Sequence, residues 1–176
     1  MGLFSKKEKP VEYDLEECIK AKKKMREIYN TTVKDGDSYE ILYAYMSSSK
    51  YEKGLVYDTN TTSFYYYIVG FRKSDFDLIL IQIDSQLNYH SDAIHIEMDK
   101  IVNVSFNPKY YQLCFQYEKN YGNYGELLNI KGTDANTKYG PRNIYQPEER
   151  EKFLDFAESF RKMLSNKGFK LDKWKR

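Results

Sequence analysis

Two kinds of periodicity divide the chain. Between residues 38 and 130, short runs of apolar or alternating residues are separated by turn residues, which is the pattern of successive β-strands. Residues 147–164 instead carry apolar side chains at helical spacing, with charged residues on the opposite face. Residues 14–29 carry a second helical pattern. The order of helix, strands and helix predicts an α+β fold that is mainly β.

The strand region contains about seven runs that meet the criteria for strands. No proline occurs between Pro10 and Pro108, which favours uninterrupted pairing because proline removes a backbone donor. Turn signals include residues 47–49 and 59–61, and a break or bend is expected near Asp99. The predicted strands are residues 39–46, 53–58, 64–71, 77–84, 93–106, 111–117 and 126–130.

The C-terminal helix is predicted to close the sheet. Pro147 fits the first helical position, and Glu148 and Glu149 fit the first turn, where the helix dipole favours acids. A curled antiparallel sheet leaves one end open, and an amphipathic helix with a broad apolar stripe can plug it. The stripe consists of Phe153, Phe156, Ala157, Phe160, Met163 and Leu164.

These features resemble the pleckstrin-homology-like (PH-like) superfamily over residues 38–164. The segment 77–84, followed by I-x-I-x-x-x-x-I-x-x-V at residues 94–104, is similar to the middle strands of bacterial members. The resemblance implies a bent, seven-stranded antiparallel sheet or barrel closed by a C-terminal amphipathic helix, with the N-terminal helix as an addition. The implied domains are residues 1–36 (tail and helix), 37–166 (PH-like domain) and 167–176 (basic tail). A lipocalin-like or other small barrel stays open as an alternative.

The resemblance also implies a binding or scaffold role. Lipid-binding members hold inositol phosphates with basic residues around the first hairpin, and the matching candidates are Lys50 and Lys53, joined by Arg72 and Lys73 from a later turn. Phosphate recognition favours the bidentate arginine fork, and the hairpin itself offers only lysines. A protein partner is therefore preferred over anionic lipid headgroups.

The tyrosine-rich strands point to a covered second face. In residues 64–69 and 78–81 both faces are apolar or aromatic. In a sheet with one solvent-exposed face, apolar and polar residues alternate along each strand. The helix at residues 14–29, a partner protein or a second copy of the chain is expected to cover that face. The candidate partner residues are Tyr65, Tyr67, Tyr121 and Tyr124.

The overall charge of the chain argues against a nucleic-acid partner. The net charge is +2, so the molecule lacks the single-signed field of a dedicated nucleic-acid binder, and no nucleic-acid partner is expected. The helix at residues 14–29 places Leu15, Cys18, Ile19, Met25 and Ile28 near helical spacing. Its basic cluster is interpreted as a solvated face, with weak contact to an anionic membrane as the alternative. That cluster comprises Lys20, Lys22, Lys23, Lys24 and Arg26.

No motif in the chain indicates catalysis. His95, Glu97 and Asp99 are predicted to alternate on one strand face, but a single histidine with carboxylates from one strand makes a poor metal cage. No cofactor, metal or enzymatic activity is expected. The start of the chain lacks the apolar core of a secretory signal, so a cytoplasmic protein is expected. The resemblance to bacterial PH-like proteins implies a bacterial source. The predicted function is a non-catalytic binding module for a protein partner or a second copy; the alternatives are a barrel for a small apolar ligand and a peripheral membrane adaptor.

Overall fold

A computed structural model describes residues 13–53, 57, 59–118, 126–130, 144–172 and 174, and shows an α+β fold that is mainly β. The described strands form one seven-stranded antiparallel sheet in the order β4-β3-β2-β1-β7-β6-β5. The predicted fold class is confirmed. The strands are β1 (Glu40–Glu52), β2 (Thr59–Arg72), β3 (Asp77–Ile83), β4 (His90–His95), β5 (Ile101–Asn107), β6 (Gln112–Tyr117) and β7 (Glu126–Asn129); the helices are α1 (Leu15–Thr32) and α2 (Pro147–Asn166).

The sheet bends around α2 but does not close into a ring. Among the described strands, β4 and β5 are the two edges and do not pair with each other. Residues from both halves of the sheet nevertheless meet in one core cluster with α2. The Phe153 ring lies 5.0 Å from Phe71 on β2 and 6.2 Å from Phe115 on β6, measured between ring centroids. Of the two predicted forms, a bent sheet or a barrel, the described strands form the open sheet, and α2 fills its concave side.

Helix α1 covers the opposite face of the sheet. Its buried side chains, including Met25, Ile28 and Tyr29, pack with Ile68, Ile79 and Ile81 in a second core cluster. This contact explains why β2 and β3 are apolar on both faces. Leu15 and Ile19, which the helical spacing had assigned to the same stripe, are instead 58% and 68% exposed.

The helix ends follow local sequence signals. Asp14 caps α1, because its side chain accepts a hydrogen bond of 3.0 Å from the Glu17 N–H. Pro147 begins α2, where its missing N–H is of no consequence, and Glu148 and Glu149 occupy the first turn. Helix α1 begins one residue later and ends three residues later than predicted, and α2 ends two residues later.

Two predicted turns are in fact strand. Residues 47–49 lie within β1 and residues 59–61 within β2, so these strands form one long hairpin that pairs from Glu40 with Phe71 to Glu52 with Thr59. Serine, threonine and asparagine favour turns when they bond to their own backbone. Here Ser49 and Thr62 bond to each other across the strands, with 3.1 Å between their hydroxyl oxygens, and threonine suits extended backbone. The predicted strand 53–58 is not observed at its described residues, Lys53 and Tyr57.

The predicted strand 93–106 is divided at the expected bend. Strand β4 ends at His95, a short 3-10 turn spans Met98–Lys100, and β5 begins at Ile101. His95, Glu97 and Asp99 thus do not share a strand face as predicted. The Lys100 ammonium lies 3.0 Å from the Glu97 carboxylate. This ion pair joins the two ends of the turn that separates β4 from β5.

Candidate functional site

The most distinctive feature of the molecule is the outer half of the β1–β2 hairpin. We call this part the arm, comprising residues 47–52 of β1 and 59–64 of β2, which pair with each other in six successive positions. At about 3.3 Å per residue the arm extends roughly 20 Å. Pairing of β2 with β3 ends at Tyr66, and pairing of β1 with β7 occurs only at Tyr45. Among the described residues, no third strand joins the arm.

The hydrogen bonds of Tyr43 establish which backbone groups face outward. The Tyr43 N–H donates to the Gln146 side chain over 2.9 Å, and its carbonyl accepts from the same amide group over 2.7 Å. The Tyr45 carbonyl accepts a bond of 3.0 Å from the Asn129 side chain. Successive residues of a strand direct their backbone N–H and C=O groups to opposite sides. The backbone groups of the odd-numbered residues of β1 therefore point away from β2. Side-chain amides therefore cover the β1 edge near the core.

The same alternation defines the outer edge of β2 in the arm. Asn60, Thr62 and Phe64 lie opposite odd-numbered residues of β1, so their N–H and C=O groups point away from β1. Further along β2, Tyr66 pairs with Ile83, the last residue of β3. The part of the chain that the structure describes contains no strand paired with β2 beyond that point.

An aromatic stripe runs from the core onto one face of the arm. The Tyr43 ring is 2% exposed and stacks on Tyr66 with 6.3 Å between centroids. The Tyr45 ring lies 6.0 Å from Phe64, which is 37% exposed. These four residues, called the aromatic stripe, join the buried core beneath α1 to the exposed arm.

The four basic candidates do not form one site. Lys50 is exposed on the arm and Lys53 lies just after it, whereas Arg72 is the last residue of β2 at the opposite end and Lys73 follows it. Lys50 pairs with Thr61, and the 12 residues from Thr61 to Arg72 span roughly 35 Å of strand. One phosphate group cannot contact both ends of such a strand.

The Arg72 side chain is already bound by neighbouring residues. Its guanidinium forms bonds of 2.9 and 2.6 Å to the two carboxylate oxygens of Asp75, and it lies 4.3 Å from the centre of the Tyr39 ring. This bidentate bond lowers the pKa of Asp75. The Tyr39 hydroxyl donates to Asp77, and burial together with this bond raises the pKa of Tyr39 to about 12. The arrangement anchors the β2–β3 turn to the start of β1.

This anchor predicts a loss of stability at alkaline pH. Tyr39 ionises near pH 10 when unfolded, but its folded pKa is about 12, so its contribution is complete below pH 10 and is lost as the pH rises towards 12. We expect the free energy of unfolding, measured by urea titration, to fall over this interval. It should fall less steeply in Tyr39→Phe. Equal slopes in the two proteins would contradict the assignment.

The tyrosine candidates separate into different environments. Tyr65, at the base of the arm, is 42% exposed, whereas Tyr67 is half-buried against the core beneath α2. Burial and the nearby Glu126 carboxylate raise the pKa of Tyr67, and burial raises the pKa of Glu126 itself. Tyr121 and Tyr124 lie outside the described residues.

The basic cluster of α1 makes mainly intramolecular contacts. Lys22 lies 2.5 Å from Glu149 of α2, and Arg26 donates to the carbonyls of Gly36 and Tyr39 over 3.1 and 3.0 Å. Lys20 pairs with Glu17 at 3.2 Å, and Lys24 donates to Asn88 over 3.2 Å. Apart from the Lys20–Glu17 pair within the helix, these contacts attach α1 to its neighbours.

Other classes of site have less support in the structure. Within the described residues, no group of three or more histidine, cysteine or acidic side chains is arranged to hold a metal. Neither of the two described helices has an apolar stretch long enough to cross a bilayer. A cavity of about 200 Å³ lies between α1, β1 and α2. Charged side chains that line it pair with each other, as Lys152 does with Glu40 at 2.8 Å.

Comparisons of the chain with models of known protein families, with curated proteins and with solved structures give no match.

Proposed function

We propose that the chain is a non-catalytic binding module of PH-like type that recognises a protein partner through the arm. The observation that carries this proposal is the position of the aromatic stripe, which leaves the core and continues onto a hairpin that projects beyond the sheet. Aromatic side chains with rigid, partly buried bases make effective anchors in protein interfaces. The order of the seven strands and the packing of α2 support the PH-like assignment.

Two alternatives receive less support. A barrel for a small apolar ligand needs an open interior, but Phe153, Phe156 and Phe160 fill the concave side of the sheet with 0%, 0% and 1% exposure. A membrane adaptor needs clustered cations, yet Lys50 on β1 and Arg72 on β2 lie far apart along the hairpin, and Arg72 binds Asp75. We therefore favour recognition of a protein.

The test is quantitative affinity capture from an extract of the native cell. Phe64→Ala at the base of the arm and Tyr65→Ala next to it remove aromatic side chains from the two faces of the hairpin. We expect at least one of them to reduce capture of a specific partner about fivefold or more, the effect of losing an interface anchor. Raised salt should change capture little, because burial of aromatic surface is not screened by ions.

Two controls separate this result from general effects. Tyr110→Ala removes an aromatic side chain that is 53% exposed in the β5–β6 turn, away from the arm, and should leave capture unchanged. Lys50→Ala combined with Lys53→Ala should also leave capture nearly intact. Loss of capture in the lysine variant, with retention in both aromatic variants, would contradict the proposal and support binding to anionic lipid.

A further inference from the structure

The two long edges of the arm differ in how they are protected. Near the core, the β1 edge is covered by the side-chain amides of Asn129 and Gln146, and further out β1 carries the charged residue Lys50. Charged residues on an edge strand are a common device against the addition of another strand. The β1 edge thus has two of the features that discourage pairing.

Within the part of the chain that the structure describes, the β2 edge of the arm has none of these features. From Thr59 to Phe71 the chain contains no charged residue and no proline, and β-branched and aromatic side chains predominate. The outward backbone groups of Asn60, Thr62 and Phe64 form a regular row without a neighbouring strand among the described residues. Such a row is a template for another extended strand. A two-stranded hairpin is also only marginally stable in water until a further strand joins it.

We propose that two copies of this chain associate by pairing the outer edges of their β2 strands, residues 59–64, in antiparallel orientation about a two-fold axis. The occupant is a second copy because the edge is uncharged and self-complementary, so the symmetric pairing places no like charges opposite each other. The product is a continuous four-stranded sheet in the order β1-β2-β2-β1.

The antiparallel orientation also keeps the cores of the two copies apart. Each arm extends away from its own core, so pairing the two arms side by side in opposite directions puts the cores at opposite ends of the four-stranded sheet. The two-fold axis is perpendicular to this sheet, and the Phe64 side chains of the two copies therefore lie on the same face. This inference is independent of the proposed partner recognition, because it uses backbone groups rather than aromatic side chains.

The test uses a matched pair of proline substitutions in the full chain. Thr62 and Ser49 are directly opposite each other, and the N–H of each points away from the hairpin, one on each edge. Thr62→Pro and Ser49→Pro each remove one outward donor, and each removes the same bond between the two hydroxyls. Neither change removes a backbone hydrogen bond between β1 and β2, and proline is tolerated on edge strands where its N–H would face solvent.

Association is measured by sedimentation equilibrium from micromolar to millimolar concentration. We expect a monomer–dimer equilibrium for the unmodified protein, weakened about tenfold or more by Thr62→Pro and changed less than about twofold by Ser49→Pro. A monomer at every concentration would overturn the proposal. So would a dimer that survives Thr62→Pro, or one that both substitutions disrupt equally.

Amide exchange measured by NMR gives a second test that needs no variant. In the dimer, the amides of Asn60, Thr62 and Phe64 should exchange more slowly as the concentration rises, whereas those of Ser47 and Ser49 should not. Slower exchange on the β1 edge alone, or no dependence on concentration at any of these amides, would overturn the assignment. Sedimentation reports mass and amide exchange reports edge protection, so both can fail while the capture experiment succeeds, and the reverse.

Discussion

Replacing Phe156 by alanine should destabilise the protein by about 3–5 kcal/mol, the usual cost of removing a large aromatic side chain from a packed core. Phe156 has no exposed surface, and its ring lies 5.4 Å from Phe71, 5.9 Å from Phe153 and 6.1 Å from Phe76. The substitution therefore empties the space where α2 meets the concave side of the sheet. The free energy of unfolding from urea titration measures the effect.

Phe169→Ala is the matched control for this prediction. Phe169 follows the same helix but is 38% exposed, and substitutions at such positions usually change stability by less than about 0.5 kcal/mol. A loss of similar size in the two variants would show that the stripe of α2 does not form the core described above.

Replacing Gly70 by alanine should destabilise the protein by about 1–3 kcal/mol or more, because it overpacks the contact between α1 and the sheet. A Cβ atom at Gly70 would overlap both the ring and the hydroxyl of Tyr29, which is fully buried on α1. Glycine allows this close approach of helix and strand. Thermal unfolding followed by circular dichroism should show a lower melting temperature.

A double-mutant cycle tests the cause of this effect. Tyr29→Phe retains the overlapping ring and should not rescue Gly70→Ala, whereas Tyr29→Ala removes the ring and should make the second substitution much less costly. Tyr29→Phe alone should be nearly neutral, since the Tyr29 hydroxyl has no hydrogen-bond partner in the described structure. Strictly additive losses for Gly70→Ala and Tyr29→Ala would contradict the proposed overlap.

The elements with the strongest periodicity were predictable from the sequence. The stripe of α2 repeats at helical spacing, and the apolar runs of β2 and β3 exceed what a single buried face requires, so both helices and the fold class followed from the pattern. The N-terminal helix was also expected to cover the second face of the sheet, and α1 packs there. The exposure of Leu15 and Ile19 was not predictable, because it depends on where α1 crosses the sheet.

The arm was missed because its residues give a contradictory local signal. Ser47, Ser48 and Ser49 are typical of turns, and only their pairing with Phe64, Ser63 and Thr62 makes them strand. Contacts between residues distant in sequence are not visible to a local reading. The sequence did mark Lys50 and Tyr65 as candidates, but it did not indicate that they lie on one projecting hairpin or that Arg72 lies far from Lys50.

Gln146 couples two events that are usually separate in folding. Its side chain bonds to both backbone groups of Tyr43, while its own carbonyl accepts the first hydrogen bond of α2, from the Arg150 N–H over 3.1 Å. Strand β1 is thus completed by the same residue from which the last helix begins. An intermediate with a finished sheet but an undocked α2 would leave the Tyr43 groups without these partners, so docking of α2 and completion of the β1 edge should occur in one cooperative step.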